Sequence, residues 1–546
     1  MQEQKVTSAK ARDYDLWIII LIVCIVIALV IWLFVSPGAM TAISDAANAF
    51  AANITWFFLL VPVAMIVVAL FIAFSPIGKI RMGGPNATPK YSFYSYWGML
   101  WCAGFGSATV VLSFLDWVDV IQNPPLGLEP LSTAAYRMST AQSMFDWGLT
   151  TCSLNLFLAI PFCYCFYVRK KNAARLGDVF QTMSPKGLPD WAVKVFNFIF
   201  IFVVLGGMTT TLGYGIPKLT GCVTALTGAT NTNVINIVMM IVLALVFTGS
   251  AALGISKGVQ NLTRINMIIL YIFLGVCLIG GPTIFILDNF VESFGLMMDN
   301  WFTMATGTEP LLDSSYAESN TLFCYCYSMA YVAMMAGFMI TISYGRTFRD
   351  MILSCLVCIP VGVWIMFAIN GGMGMKMQLD GKVDLVTIYN ELGSTPAAIE
   401  AVSNSPLGPV LGVIAFGLMM LIFVATAMDG TSVVLAQATM KKVAVGKEPS
   451  FPMKLVWCII LAAIPLVMDA LGAELWLFEA VANVTGWPVL VIGIIMWVFL
   501  FKWFKQDKGI EYGPGSKQDL TSEAGQAEAA LVAAREAAGE EIELED

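Results

Sequence analysis

Residues 16–35 read LWIIILIVCIVIALVIWLFV, a run without a single charge. At about 1.5 Å of rise per residue, such a run crosses a hydrocarbon core of roughly 30 Å as one helix. It is too long for the core of a signal peptide and reads as a retained first helix. Outward from it, apolar segments recur at 15–36, 56–74, 91–118, 140–168, 191–217, 232–255, 265–287, 320–343, 349–371, 408–435, 452–471 and 476–501. Twelve candidate spans predict an all-α integral membrane protein. Composition agrees: of 546 residues 58% are hydrophobic and 12% charged, against about 25% charged in soluble domains, and mean hydropathy is +0.79. An ordinary cytosolic enzyme is excluded. The chain has no histidine, which removes His-based triads, imidazole metal sites and histidine proton relays. The twelve cysteines sit mostly inside apolar segments and read as small apolar packing residues. No cofactor, metal or nucleic-acid partner is indicated.

Lys and Arg collect in cytoplasmic loops, and here they fall in alternate connections. Lys5, Lys10 and Arg12, then Lys79, Arg81 and Lys90, Arg169 to Arg175, Lys257 and Arg264, Arg346 and Arg349, Lys441 to Lys447, and Lys502 to Lys508 form the inward set. Arg137, Lys218, Lys376 and Lys382 fall in outward loops. Both termini are therefore expected in the cytoplasm, with the protein in the cell's inner membrane. Residues 288–319 alternate acids with Phe290, Phe294, Leu296 and Trp301, which fits an amphipathic helix on the outer surface or a loop packed over helix ends. The acidic, Ala/Glu-rich tail from 506 to 546 reads as soluble and outside the membrane core.

Three features inside the spans bear on function. Trp101 to Thr109 includes the small-residue run Gly104, Phe105, Gly106 and Ser107, which permits close helix packing or a break facing a cavity. Ionisable residues inside spans tend to face cavities. Asp116 and Asp119 close the third span while Asp146 and Trp147 open the fourth. Counting rise per residue puts Asp116, Trp147 and Tyr327 at one level, roughly 8–10 Å below the outer face; the alternative is a wet helix end. Tyr327, Tyr331 and Met335 share a helix face, which suits cation–π binding of an ammonium or ordinary packing.

Several stretches are similar to the betaine/choline/carnitine transporters: Gly98-Met99-Leu100, Asn123 to Pro130, Ser143 to Gly148, Lys257 to Gln260, and Gly345-Arg346-Thr347. The Pro-Pro-x-Gly-Leu-Glu-Pro element at 124–130 most resembles the carnitine/γ-butyrobetaine exchanger branch. The resemblance implies a short cytoplasmic N-terminus (1–14), two leading helices (15–90), two five-helix repeats of inverted topology (91–287 and 320–505) flanking the outer connection, and assembly as a homotrimer in lipid. It also implies an aromatic substrate box, in which Trp147, Tyr331 and Met335 persist. Tyr327, Ser328 and Cys152 stand where relatives place tryptophan. Asp116 matches a position often acidic in the carnitine branch, Asp119 replaces a tyrosine, and Asp146 takes a position commonly histidine. The added carboxylates favour a solute more cationic or hydrogen-bond-donating than carnitine, including guanidino or cyclic amidine compounds.

Sodium-coupled relatives place a Thr-Ser pair in the tenth span; here the pair is Ala425 and Thr426, which resembles the sodium-independent exchangers. Those exchangers carry a surrogate arginine, and the aligned position is Asn266, with Arg264 two residues earlier; Arg264 reads equally as a positive-inside anchor. The function implied is exchange of one small quaternary-ammonium, N-methylated or cationic solute for a related metabolite by alternating access, and the chain is not expected to be an enzyme. The alternative is sodium- or proton-driven uptake through Asp119, Asp146 or Asp429. A channel or a tail-borne sensor is a further class, disfavoured because polar residues cluster in one region.

Overall fold

The computed structural model describes residues 7–8, 14–36, 38–84, 87–104, 106–171, 175–185, 187–229, 234–236, 238–239, 241–243, 245–246, 255–311, 316–440, 447–472 and 475–507. In chain order the helices are α1 Leu16–Val35, α2 Ala39–Phe74, α3 Phe93–Gly104, α4 Gly106–Gln122, α5 Thr133–Asp146, α6 Leu149–Leu154, α7 Leu156–Cys163 and α8 Leu176–Met183. They continue as α9 Asp190–Thr227, α10 Ile255–Gly280, α11 Thr283–Thr306, α12 Leu322–Ile342, α13 Phe348–Leu353 and α14 Ile359–Leu379. The last are α15 Leu385–Leu392, α16 Ser394–Ser403, α17 Gly408–Ala438, α18 Phe451–Ala470 and α19 Leu475–Asp507. Single π turns at Tyr164–Val168, Ala317–Thr321 and Ser354–Cys358 extend α7, precede α12 and precede α14. A two-residue parallel pairing joins Thr7–Ser8 to Lys447–Glu448.

Ten helices among the described residues are long and apolar enough to cross a membrane. The two other expected spans fall on residues 91–118, where α3 and α4 flank Phe105, itself outside the described residues, and on 232–255, of which only part is described. Two boundaries differ most from expectation. α2 starts at Ala39 instead of near 56, because an alanine-rich stretch continues the helix and Asn53 and Thr55 bond back to Ala49 and Ala51. α9 runs through Pro217 to Thr227, so Lys218 lies inside a helix with 1% exposure and not in an outward loop. A single proline does not end a helix whose neighbours pack around it.

Burial sorts the helices. The spans Thr133–Val168 and Ala317–Ile342 are each 89% buried over their most apolar window, whereas Leu16–Val35 is 28% buried. α12 is therefore central, packed on α7, α9 and α19, with α1 at the periphery. Helix α11 buries Ile286, Asn289, Ser293, Met297 and Met304 on one face and packs along α5, where Asn289 donates to Thr140 Oγ1 at 3.0 Å. At another corner Gly345 (φ +80°) brings its backbone against Thr88, leaving no room for a Cβ. Arg346 next to it donates to the Tyr91 carbonyl and lies over the Tyr96 ring.

The span Thr133–Val168 is not continuous. It breaks at Trp147 and Gly148, where α5 stops and α6 begins. A break in apolar surroundings frees carbonyls that lipid cannot satisfy. Each is met by a side chain. The Met144 carbonyl accepts from Trp364 Nε1 at 2.8 Å, Phe145 from Thr150 Oγ1 at 3.0 Å, Asp146 from Thr151 Oγ1, and Trp147 from Cys152 Sγ at 3.9 Å. Gly148 is obligatory, since a Cβ there would stand 2.2 Å from the Met144 oxygen and 2.5 Å from Trp364 Nε1.

Gly148→Ala is accordingly expected to lower the melting temperature in detergent more than Trp364→Phe. The second substitution leaves one buried carbonyl unpaired, at about 1–3 kcal/mol. Equal or unchanged melting temperatures for the two would refute this account of the break.

Candidate functional site

The break turns consecutive side chains to different neighbours. The buried Asp146 carboxylate accepts from Gln142 Nε2 (3.1 Å), Tyr316 Oη (2.7 Å) and Thr321 Oγ1 (2.8 Å). It thus ties α5 to the π turn that opens α12. Trp147 faces α4 instead. Its Nε1 makes a long 3.4 Å hydrogen bond to Asp116 Oδ1, and its ring meets Tyr327 at 6.0 Å and Phe323 at 6.2 Å, both edge-to-face.

Tyr327 lies 5.0 Å from Tyr331, one turn on along α12. Thr211 of α9 bonds both hydroxyls, and Tyr331 also contacts Met208 Sδ at 3.7 Å. Tyr214, one turn further on, stacks on Phe323 at 6.4 Å. Met208, Thr211 and Tyr214 recur every three residues and so form one face of α9. The result is a buried aromatic cluster drawn from three helices, its rings in mutual contact; admitting a solute between them requires the rings to part. Met335 is buried one turn beyond Tyr331, and Ser328 donates to the Thr151 carbonyl at 3.1 Å.

A group of carboxylates borders this cluster. Asp119, one turn from Asp116 on α4, accepts from Tyr389 of α15 at 3.1 Å and faces the like charges of Asp116 and Glu479. Glu479 of α19 accepts from Tyr214 at 2.5 Å. Lys218 is close enough for its charge to act on Glu479, and it donates to Ser394 Oγ at 2.9 Å. α15 and α16 therefore sit across the acids, joined to α4 and α9 by side-chain bonds. Rings with a negative face beside carboxylates suit a cation.

The other predicted residues lie apart. α10 packs on both α3 and α17. On it Asn266 and Thr263 are buried. Cys102 of α3 sits against Thr263 and Asn266. Arg264 is exposed. On α17, Ala425 offers no side-chain ligand, and Thr426 Oγ1 is turned to the Ile422 carbonyl of its own helix at 2.7 Å. Gly104 ends α3, while Gly106 and Ser107 begin α4.

Sequence reasoning passed over Glu479, Tyr214, Thr211, Tyr389 and Tyr316. For Glu479 the signal was present, an acid inside an apolar span. For the run Thr150 to Ser153 it was also present, since consecutive hydroxyl and thiol donors after a glycine can serve a helix break.

The chain is 29% identical over 436 residues, 80% of this chain and 79% of the relative, to the carnitine transporter of Acinetobacter baumannii. It is 27% identical over 441 residues, 80% and 90% of the two chains, to the uncharacterized transporter YeaV of Escherichia coli. To the glycine betaine transporter OpuD of Bacillus subtilis it is 26% identical over 501 residues, 90% and 94% of the two chains. The pattern of the betaine/carnitine/choline family transporters (BCCT) matches residues 17–509. With that match over most of its length and its array of membrane-length helices, the chain belongs to the BCCT family of multi-pass membrane transporters, which are not enzymes.

Proposed function

We propose that the protein exchanges one small quaternary-ammonium, N-methylated or cationic solute for a related metabolite, without sodium, by alternating access around a site at the α4–α5–α12 junction. The observation that carries this reading is Asp116 and Asp119 set against the ring cluster of Trp147, Tyr327 and Tyr331. In this assignment those five residues and Met335 bind the solute, while Asp146 and Ser328 hold the broken helix and α12 in place around it. The relatives named for carnitine and glycine betaine support the methylated-ammonium class. Sodium independence is supported by Ala425 and by the engagement of the Thr426 hydroxyl with its own helix. Exchange of two solutes of equal charge needs no ion gradient and is indifferent to membrane potential.

The rest of the assignment follows the family pattern. It comprises twelve membrane helices as two leading helices and two inverted five-helix repeats (91–287 and 320–505), Gly104 to Ser107 as an unwound gating segment, a homotrimer in the cytoplasmic membrane, and both termini on the cytoplasmic side. A second reading, sodium- or proton-coupled uptake, is favoured by one observation. Asn266 and Thr263 set buried polar side chains against Cys102, on a helix that packs against α17, and such side chains could line a path for a coupling ion.

Counterflow in proteoliposomes tests the choice. Exchange predicts fast tracer uptake only when a partner solute is preloaded, at equal rates with and without sodium. Sodium-dependent accumulation into empty vesicles would replace exchange by symport. For the site, Asp119→Tyr is expected to shift preference toward carnitine-type zwitterions by about tenfold in kcat/KM, the scale of one lost charge-assisted contact. An unchanged substrate profile would remove Asp119 from the binding residues.

A further inference from the structure

The broken span has a second irregularity beyond Gly148. α6 ends at Leu154 and α7 begins at Leu156, with Asn155 between them. The Asn155 backbone N–H turns to the Cys152 carbonyl at 3.2 Å, and the Thr151 carbonyl, its ordinary helical acceptor, takes Ser328 Oγ of α12 at 3.1 Å. Asn155 is 0% exposed, and among the described residues neither its Oδ1 nor its Nδ2 has a hydrogen-bond partner.

Neighbours of α6 and α7 fix the side to which that amide turns. Ser153 Oγ bonds the Pro62 carbonyl of α2, and at 3.6 residues per turn Asn155 stands roughly 200° from it, away from α2. Cys152 and Cys163 lie beside Cys355 of the π turn before α14, and Cys163 also beside Tyr96 of α3. Ser328 marks the side of α12. Asn155 falls between these two sides, in the angle where α3 and α12 pack together, and Tyr331 lies one turn beyond Ser328 on α12.

A buried amide with neither atom satisfied is rare in a native structure. Asparagine offers two N–H donors and one acceptor, so the partner it lacks carries an oxygen that accepts, and an O–H on the same chain can reach Oδ1. The charges decide which end of a solute this is. Asp116, Asp119 and Asp146 lie at Trp147 or on the side of it away from Asn155, so a dipolar solute is held with its cation among the acids and its oxygens directed away from them. Trp147 and Asn155 are eight residues apart in the chain, about 12 Å of helical rise. A cation–π contact reaches about 6 Å and a hydrogen bond about 3 Å, which leaves between them the length of a small zwitterion.

We propose that Asn155 is a further solute-binding residue, whose amide takes the carboxylate or hydroxyl end of the solute while the cationic end lies against Trp147 and Asp116. This rests on the site named under the exchange reading and assigns the other end of the same solute. The protein then discriminates by what that end carries. An oxygen there satisfies the amide, whereas an alkyl end leaves it unpaired, and a site built to hydrogen-bond a group rejects the analogue that lacks it.

The test uses γ-butyrobetaine and butyltrimethylammonium, which share cation and chain and differ in the terminal carboxylate or methyl. Their affinities are read from ligand-induced shifts in melting temperature of the full-length protein in detergent, a readout that does not require transport. The wild type is expected to bind γ-butyrobetaine at least about tenfold more tightly. Asn155→Leu, which keeps the volume and removes both hydrogen-bonding atoms, is expected to bring the ratio toward one through loss of γ-butyrobetaine alone, with the ligand-free melting temperature unchanged or higher. Asn155→Asp, which sets a like charge against the carboxylate, is expected to lose γ-butyrobetaine and keep butyltrimethylammonium, and it stands as the second variant should the first fail to fold. An unchanged ratio in the variants would show an amide satisfied by buried water only and would overturn the inference. Equal weakening of both probes with a lower ligand-free melting temperature would show a packing residue and overturn it as well. Wild-type affinities that do not favour γ-butyrobetaine would do the same. None of these outcomes bears on exchange, which falls separately if counterflow shows sodium-dependent accumulation.

Discussion

The architecture of the site depends on a helix that stops and restarts inside an apolar interior. Stopping a helix there exposes four carbonyls, and in surroundings without water each unsatisfied one costs several kcal/mol. The chain meets the requirement locally, with Thr150, Thr151 and Cys152 supplied by the residues that follow Gly148, and across the molecule with Trp364. Gly148 makes the arrangement sterically feasible because Trp364 reaches into the space its side chain would occupy. The hydroxyls are therefore part of the backbone's hydrogen bonding and are not available to a solute.

With the break held this way, neighbouring residues serve different ends. Asp146 is drawn to Tyr316 and Thr321 and fixes the position of α12 relative to α5. Trp147 is turned to Asp116 and to the rings of α12. The same α12 carries Tyr327 and Tyr331, whose hydroxyls are held by Thr211 from α9. Electrostatics and packing thus meet at one junction. The acids of α4 and α19 lie where rings from three helices converge, and α15 is tied to the same acids through Tyr389.

Much of this was legible in the sequence, for identifiable reasons. Membrane-length helices follow from uninterrupted apolar runs, and depth follows from counting residues, so the sequence alone sets Asp116, Trp147 and Tyr327 at one level. Counting does not fix which way a side chain faces. Asp146 and Trp147 are adjacent in sequence, yet they point to different partners because successive helical residues differ by about 100°. Glu479 satisfies the same rule that singled out Asp116, but its partner Tyr214 lies on a helix 265 residues away, and no local pattern joins the two. Lys218 read as a loop residue because positive charge and Pro217 are both loop signals. The packing that buries it, with Ser394 as acceptor, is a tertiary fact.

The central claim is that the broken helix presents Trp147 and Asp116 together as the seat of a cation. A cryo-electron microscopy map of the protein in lipid nanodiscs with a transported cation bound would test this most directly. The account predicts the charged nitrogen within about 6 Å of the Trp147 ring and against the Asp116 carboxylate, with the Gly148 break retained. Density for the solute away from Trp147, for example beside Asn266, or a continuous helix through residues 133–163, would contradict it.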